Sequence, residues 1–258
     1  VSHFPPSIVT RRVAFMVLVT LLPALAAQAS TERLEADLRG VFGEHGEVAI
    51  GEVSSGLLSS QVTAEDVVVR GEEGKRLLID RYAVSGDYDS PDEVTLEGVR
   101  LEDALTEMAL VEVARIVMGE PSRAVFPLDD SLAPQDVRIA TLAIDDISLD
   151  LASELARGMV DDAELGDARG RMTIARVRGE GLSHTAIERF EIADVSGMGE
   201  NLGEMGAGSF TLASLVFEGL HGLDDEDEQR LDALVLSGLV VDAERLVGSL
   251  ARLHVDGD

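Results

Sequence analysis

A spacing of apolar residues at i, i+3, i+5 and i+8 recurs in this chain and narrows its folds more than any other feature. It runs Ile139, Leu142, Ile144, Ile147, then Ile187, Phe190, Ile192, Val195. It returns as Leu212, Leu215, Phe217, Leu220 and as Leu231, Leu234, Leu236, Leu239. Weaker copies lie at Ile174, Val177, Leu182 and at Leu96, Val99, Leu101. The central apolar-x-apolar unit is a period-two alternation, the mark of a strand with one buried face. Gly or Asp often follows it, so each copy reads as one strand with a bend or turn. The intervals between copies are irregular, unlike the fixed period of a solenoid. The Leu-x-x-Leu-x-Leu core also lacks the Asn or Cys and the constant period of a leucine-rich repeat.

The first half carries strand-like runs at Val48–Val53, Gln61–Val69, Arg76–Val84 and Glu93–Leu101. Gly71 to Gly74 and Gly86 to Asp92 separate them as turns, which favours an antiparallel meander over β-α-β units. A helix is expected over Thr31–Val41, where Leu34, Leu38 and Val41 share one face. A second helix, apolar nearly all round, is expected from Asp103 to Met118, with Gly119 and Pro121 ending it. Further helices are expected at Leu151–Val160, at Ala243–Leu253 and, briefly, at Asp224–Glu228. The expected fold class is α+β, β-dominated: repeated antiparallel strands and hairpins forming a curved sheet with a few covering helices. Residues 30–119 make a β-rich half with flanking helices, 120–136 a Pro-containing linker, and 137–258 a β-repeat half.

Residues 1–29 read as an export signal. Arg11-Arg12 is a basic start, Val13 to Ala26 an apolar run, and Ala27-Gln28-Ala29 a small-x-small cleavage site. The run is shorter than the ~20 apolar residues of a membrane span. Cleavage after Ala29 is expected, with an uncleaved N-terminal anchor as the alternative. Val1 fits the expectation of a non-methionine bacterial start. A periplasmic or secreted location follows. The chain has no cysteine, so its core must hold it without disulfides, and thiol chemistry is excluded.

Asp and Glu number 49 against 21 Lys and Arg. Such a surface repels nucleic acid and anionic lipid headgroups, and no basic patch offsets it. Aromatics are 3% of residues and tryptophan is absent, which argues against stacking sites for sugars or single-stranded nucleic acid. The core must be aliphatic.

Two stretches, Gly56-Leu57 through Val69 and Ile139 through Leu149, follow an export segment and a short helix. In this texture the chain resembles the AsmA/TamB-type bacterial envelope proteins. The resemblance implies a long β-sheet curved into a groove and a role in envelope lipid handling or outer-membrane homeostasis. It carries no motif that would assign a functional residue.

Chemistry-bearing motifs are scarce. Gly197-Met-Gly199-Glu-Asn-Leu-Gly203, with Glu218 further on, imitates a dinucleotide fingerprint, but no crossover helix fits before the next strand. It reads as a glycine-rich turn. His3, His45, His184, His221 and His254 have no metal-ligand spacing. The acidic pairs Asp145-Asp146 and Asp161-Asp162 and the run Asp224 to Glu228 lack a calcium-loop pattern. Ser183 beside His184 has no Gly-x-Ser-x-Gly context. No catalytic, metal or cofactor residue is therefore expected. The reading is a non-enzymatic exported protein, a scaffold or carrier of hydrophobic molecules such as lipids, with a lipid or an envelope protein as partner. The alternative is an acidic module that binds a basic partner or divalent cations.

Overall fold

The computed structural model describes residues 30–44, 46–56, 60–71, 74–126, 136–153, 169–201, 206–225 and 228–257. The export segment 1–29 lies outside them. A helix, α1, spans 30–43. The strands β1 (Gly46–Ala49), β2 (Glu52–Ser55), β3 (Gln61–Gly71), β4 (Lys75–Asp87), β5 (Ser90–Asp103) and β6 (Ala109–Gly119) follow. The remaining strands are β7 (Arg138–Asp150), β8 (Arg169–Ser183), β9 (Ala186–Glu200), β10 (Gly208–His221), β11 (Arg230–Ala243) and β12 (Val247–Asp256).

All strands join one open, curved, antiparallel sheet in the order β1-β3-β4-β5-β6-β7-β8-β9-β10-β11-β12. β1 and β2 both pair with β3, one after the other along its length, so together they form one edge broken at Ile50-Gly51. From β3 onward each strand pairs with the next in sequence. Short reversals suffice for this meander, as the turn residues imply. The chain between β6 and β7 is long, yet these strands pair directly from Val111↔Leu149 to Gly119↔Thr141. Both halves of the sequence therefore build one sheet. The β-dominated class with a covering helix is the one observed.

The tightest packing lies where α1 crosses the first strands. Leu34, Leu38 and Phe42, spaced by four on one helix face, are buried against Val62, Ala64, Val67, Ile79, Tyr82, Val84 and Val94. Burying each such side chain contributes roughly 1.5–3 kcal/mol. Polar contacts clamp the outer helix face. Arg33 pairs with Asp89 and lies 4.7 Å from the centroid of the Tyr88 ring. The Tyr88 hydroxyl donates to Asp37 at 2.9 Å. Burial, then the Asp37 carboxylate, push the Tyr88 pKa far above its ordinary value. Residues 121–126 return over the same core: Ala124 and Val125 are buried, and the Tyr82 hydroxyl donates to the Ala124 carbonyl at 2.6 Å.

Three helix expectations need correction. Residues 103–118 contain a turn and strand β6. Val111, Val113 and Ile116 face the core side, while Glu112 and Arg115 face the other, so the apolar run is a strand with charges set into its far face. Asp103 caps the turn, accepting from the Leu105 and Thr106 amides at 3.0 and 2.8 Å. Residues 247–256 form β12, although Leu246, Leu250 and Leu253 mimic a helical stripe. The i, i+3 step of the bent-strand pattern is also a helical step, so period alone cannot separate the two. Around Asp224 the described residues form a turn, with the Asp225 amide donating to the Gly222 carbonyl at 3.2 Å. Leu151 to Ser153 form a turn after β7, and the rest of Leu151–Val160 lies outside the described residues.

Candidate functional site

The repeated spacing becomes intelligible once the strands are aligned. In a flat strand, residues i and i+3 face opposite sides of the sheet. Here they share a side. Ala64 and Val67 of β3 and Tyr82 and Ile79 of β4 all belong to one buried cluster. Between each such pair lies a residue that resets the phase. Asp66, Gly98, Asp146, Asp194 and Gly238 have φ between 53° and 64°, the left-handed region. They sit on β3, β5, β7, β9 and β11. Across the intervening strands the same row passes through Asp80, Ala114, Ala175, Ala213 and Ala251 by register. Only Gly, Ala and Asp occupy this row. Glycine and aspartate tolerate left-handed backbone, and small side chains leave room for it.

A second row lies six residues away from the first, from β4 to β11. It places left-handed residues on the alternate strands: Gly86 of β4, Glu120 just after β6, Gly181 of β8 and Gly219 of β10. At Gly219 a Cβ would lie 2.1 Å from Asp232 Oδ2, so glycine answers both the backbone and the close approach. The two double-x gaps of the repeated pattern are these two rows. The sequence shows the gaps and the bends, but not that they align across strands. The signal for the alignment is a Gly, Ala or Asp six residues from a second small or acidic residue, as in Asp146 with Ala140 and Gly238 with Asp232.

The bends keep four ladders of apolar residues on one face. One runs Val62, Val84, Val94, Met118, Leu142, Gly179, Phe190, Phe217, Leu234, Val255 across ten strands. The next runs Ala64, Tyr82, Leu96, Ile116, Ile144, Val177, Ile192, Leu215, Leu236, Leu253. Beyond the first bend row come Val67, Ile79, Val99, Val113, Ile147, Ile174, Val195, Leu212, Leu239, Leu250. The outermost ladder holds Val69, Leu77, Leu101, Val111, Leu149, Met172, Gly197, Phe210, Val241 and Gly248. Ten strands at ~4.8 Å spacing make this face ~45 Å wide, and the span of the four ladders makes it ~25 Å tall.

Cover over this face is uneven. α1 and residues 121–126 cover its β3 to β5 side and reach Ile116 and Met118 of β6 and Ile139 and Leu142 of β7. From β7 to β11 most ladder residues are half-buried, with Leu149, Val177 and Val195 buried. At β12 the ladder is open: Leu250, Leu253 and Val255 are 39%, 44% and 47% exposed.

The glycine-rich stretch also needs correction. Gly197 and Gly199 lie inside β9, not in a turn, while Gly203 lies outside the described residues. Gly197 sits beneath the Phe210 ring, where a Cβ would come within 2.3 Å of Cε1. The glycine thus makes space on the apolar face for an aromatic neighbour.

The opposite face is mixed: it carries cross-paired charges together with Val117, Val216 and Val235, of which Val216 is buried. Arg81 meets Glu97 at 3.3 Å, Arg176 meets Asp194 at 3.3 Å, Arg100 meets Asp80 at 2.8 Å and Arg76 meets Glu102 at 2.7 Å. The first three, partly exposed, contribute little stability each, whereas Glu102 of the fourth is buried; all four fix strand register and sidedness. They also occupy arginines, leaving the excess of carboxylates unneutralised. Among the described residues, no three His, Asp or Glu side chains gather as a metal site. An open, mostly polar recess of about 710 Å³ lies where the second bend row crosses β5 to β8, beside Asp92, Glu120 and Arg138. No described helix is long and apolar enough to cross a membrane.

No family model, curated protein or solved structure matches the chain.

Proposed function

We propose that this is a non-enzymatic envelope protein whose apolar sheet face carries or scaffolds hydrophobic molecules, lipid acyl chains above all. One observation carries the reading: four largely apolar ladders continue over β8 to β12, past the cluster under α1 and residues 121–126, and stand open at β12. A core of this width would be sealed by a second layer. Most of its side chains are aliphatic, which suits disordered acyl chains, with Phe190, Phe210 and Phe217 clustered on β9 and β10. The export-signal reading and the resemblance to AsmA/TamB-type envelope proteins support the same role.

The test is to produce the full chain in a bacterial envelope, analyse it by native mass spectrometry and identify bound molecules in an organic-solvent extract. Lipid at a defined stoichiometry is the expected result. Ligand-free protein from a lipid-rich envelope would overturn the carrier reading. The net charge of −28 favours a second reading, an acidic module for a basic partner or divalent cations. An affinity for such a partner that is unchanged between low and high salt would count against it.

A further inference from the structure

The two edges of the sheet differ. The β1–β2 edge is broken at Ile50-Gly51 and carries Glu47 and Glu52, and Arg39 of α1 donates to the Val48 carbonyl at 3.0 Å. The β12 edge is ten residues long, every residue is exposed, and no described strand pairs with its outer side. Free edges of soluble proteins are commonly blunted by proline, lysine, bulges or cover. β12 contains neither proline nor lysine.

We propose that β12 is a self-association edge, pairing antiparallel with β12 of a second copy across a twofold axis. The register is the argument. Along β12 the ladder residues are Gly248, Leu250, Leu253 and Val255. Their spacing reads the same in both directions. A copy turned through a half-rotation therefore sets Leu250 opposite Leu253 of the partner, and Gly248 opposite Val255. Every ladder that reaches β12 then continues into the second sheet, while the bend-row residue Ala251 falls one position out of line, opposite Arg252 of the partner. An isologous contact demands such self-complementarity.

Charge agrees with this pairing. On the polar side Ser249 would face His254 and Ala251 would face Arg252, so no like charges stand directly opposite. The two Arg252 side chains flank the axis, where they offset repulsion between two chains of net charge −28. Asp256 lies 3.0 Å from its own His254. The head-to-tail alternative, β12 on the β1–β2 edge of another copy, would build an open array and would have to pair with an edge broken at Ile50-Gly51. The dimer does not depend on the lipid reading, because backbone pairing needs no ligand.

The experiment is sedimentation of the full chain, purified as the cell processes it, over a wide micromolar range, with and without detergent, beside Leu253→Asp. The expected result is a concentration-dependent dimer whose dissociation constant rises about tenfold or more in Leu253→Asp, with an unchanged strand signal in circular dichroism. The chain has no native cysteine, so Leu250→Cys with Leu253→Cys should give a covalent dimer on mild oxidation, and either change alone should give far less. A monomer at every concentration, a dimer indifferent to Leu253→Asp, open arrays, or equal cross-linking by the single cysteines would each overturn the proposal.

Discussion

The bend rows make opposite demands on neighbouring strands, and glycine substitutions expose them. Asp146 has φ 55°, while Ala175, its register partner on β8, has no left-handed backbone. Asp146→Gly removes a side chain from a conformation that glycine prefers, so stability should hold or rise. Ala175→Gly gains no such relief and adds chain entropy, at a cost of about 0.5–1 kcal/mol. Asp146→Val forces a β-branched residue into the left-handed region, at a cost of about 1–3 kcal/mol. Gly98→Val should cost more still, because its Cβ would lie 2.0 Å from Asp80 Oδ2. The assay is urea unfolding followed by circular dichroism, with midpoint shifts read at constant slope. The reasoning fails if Asp146→Val unfolds at the wild-type midpoint, or if the two glycine substitutions shift it equally and in the same direction.

Leu38→Ala should lower stability by about 2–5 kcal/mol, because Leu38 is fully buried between α1 and the sheet; thermal and urea unfolding would show it. Tyr82→Phe strands the buried Ala124 carbonyl and should cost about 1–3 kcal/mol by the same assay. Hydrogen bonds from Thr106, then from the Leu105 amide, hold the Asp103 carboxyl below its usual range. A depressed carboxyl contributes stability above its unfolded pKa of ~3.9 and loses it as pH falls through the folded value. Asp103→Asn should therefore be less stable than wild type at neutral pH, and the gap should close in acid; a gap independent of pH would refute this. Arg81→Ala should change stability by no more than about 1 kcal/mol, since its Glu97 pair is partly exposed.

Strand content was legible because its signal is local. The alternation in Gln61–Val69 and in Ile187–Val195 is visible in a window of a few residues, and both lie on strands, β3 and β9. α1 was legible because Leu34 and Leu38 have charged residues between them. β6 and β12 were not, for one physical reason. A bent strand passes over two residues at its bend, and Val113 with Ile116, or Leu250 with Leu253, then look like neighbours on a helix. Only pairing with adjacent strands decides between the two, and pairing is non-local. The ladders were legible in part, as four copies of one pattern on β7, β9, β10 and β11. Their continuity through Val84, Val94 and Met118 was hidden, because those strands lack the full spacing. The openness of the face at β12 depends on what covers it, and no residue pattern states that.

Cross-linking of lipid to named positions would show which face of the sheet meets acyl chains. A photoreactive residue would replace Ile192, Leu215 or Leu236 on the apolar face, and Ser214 or Ser237 on the other, in protein produced in a bacterial envelope. The account predicts lipid adducts from the first three positions and none from the two serines. Adducts from both faces alike, or from neither, would contradict it.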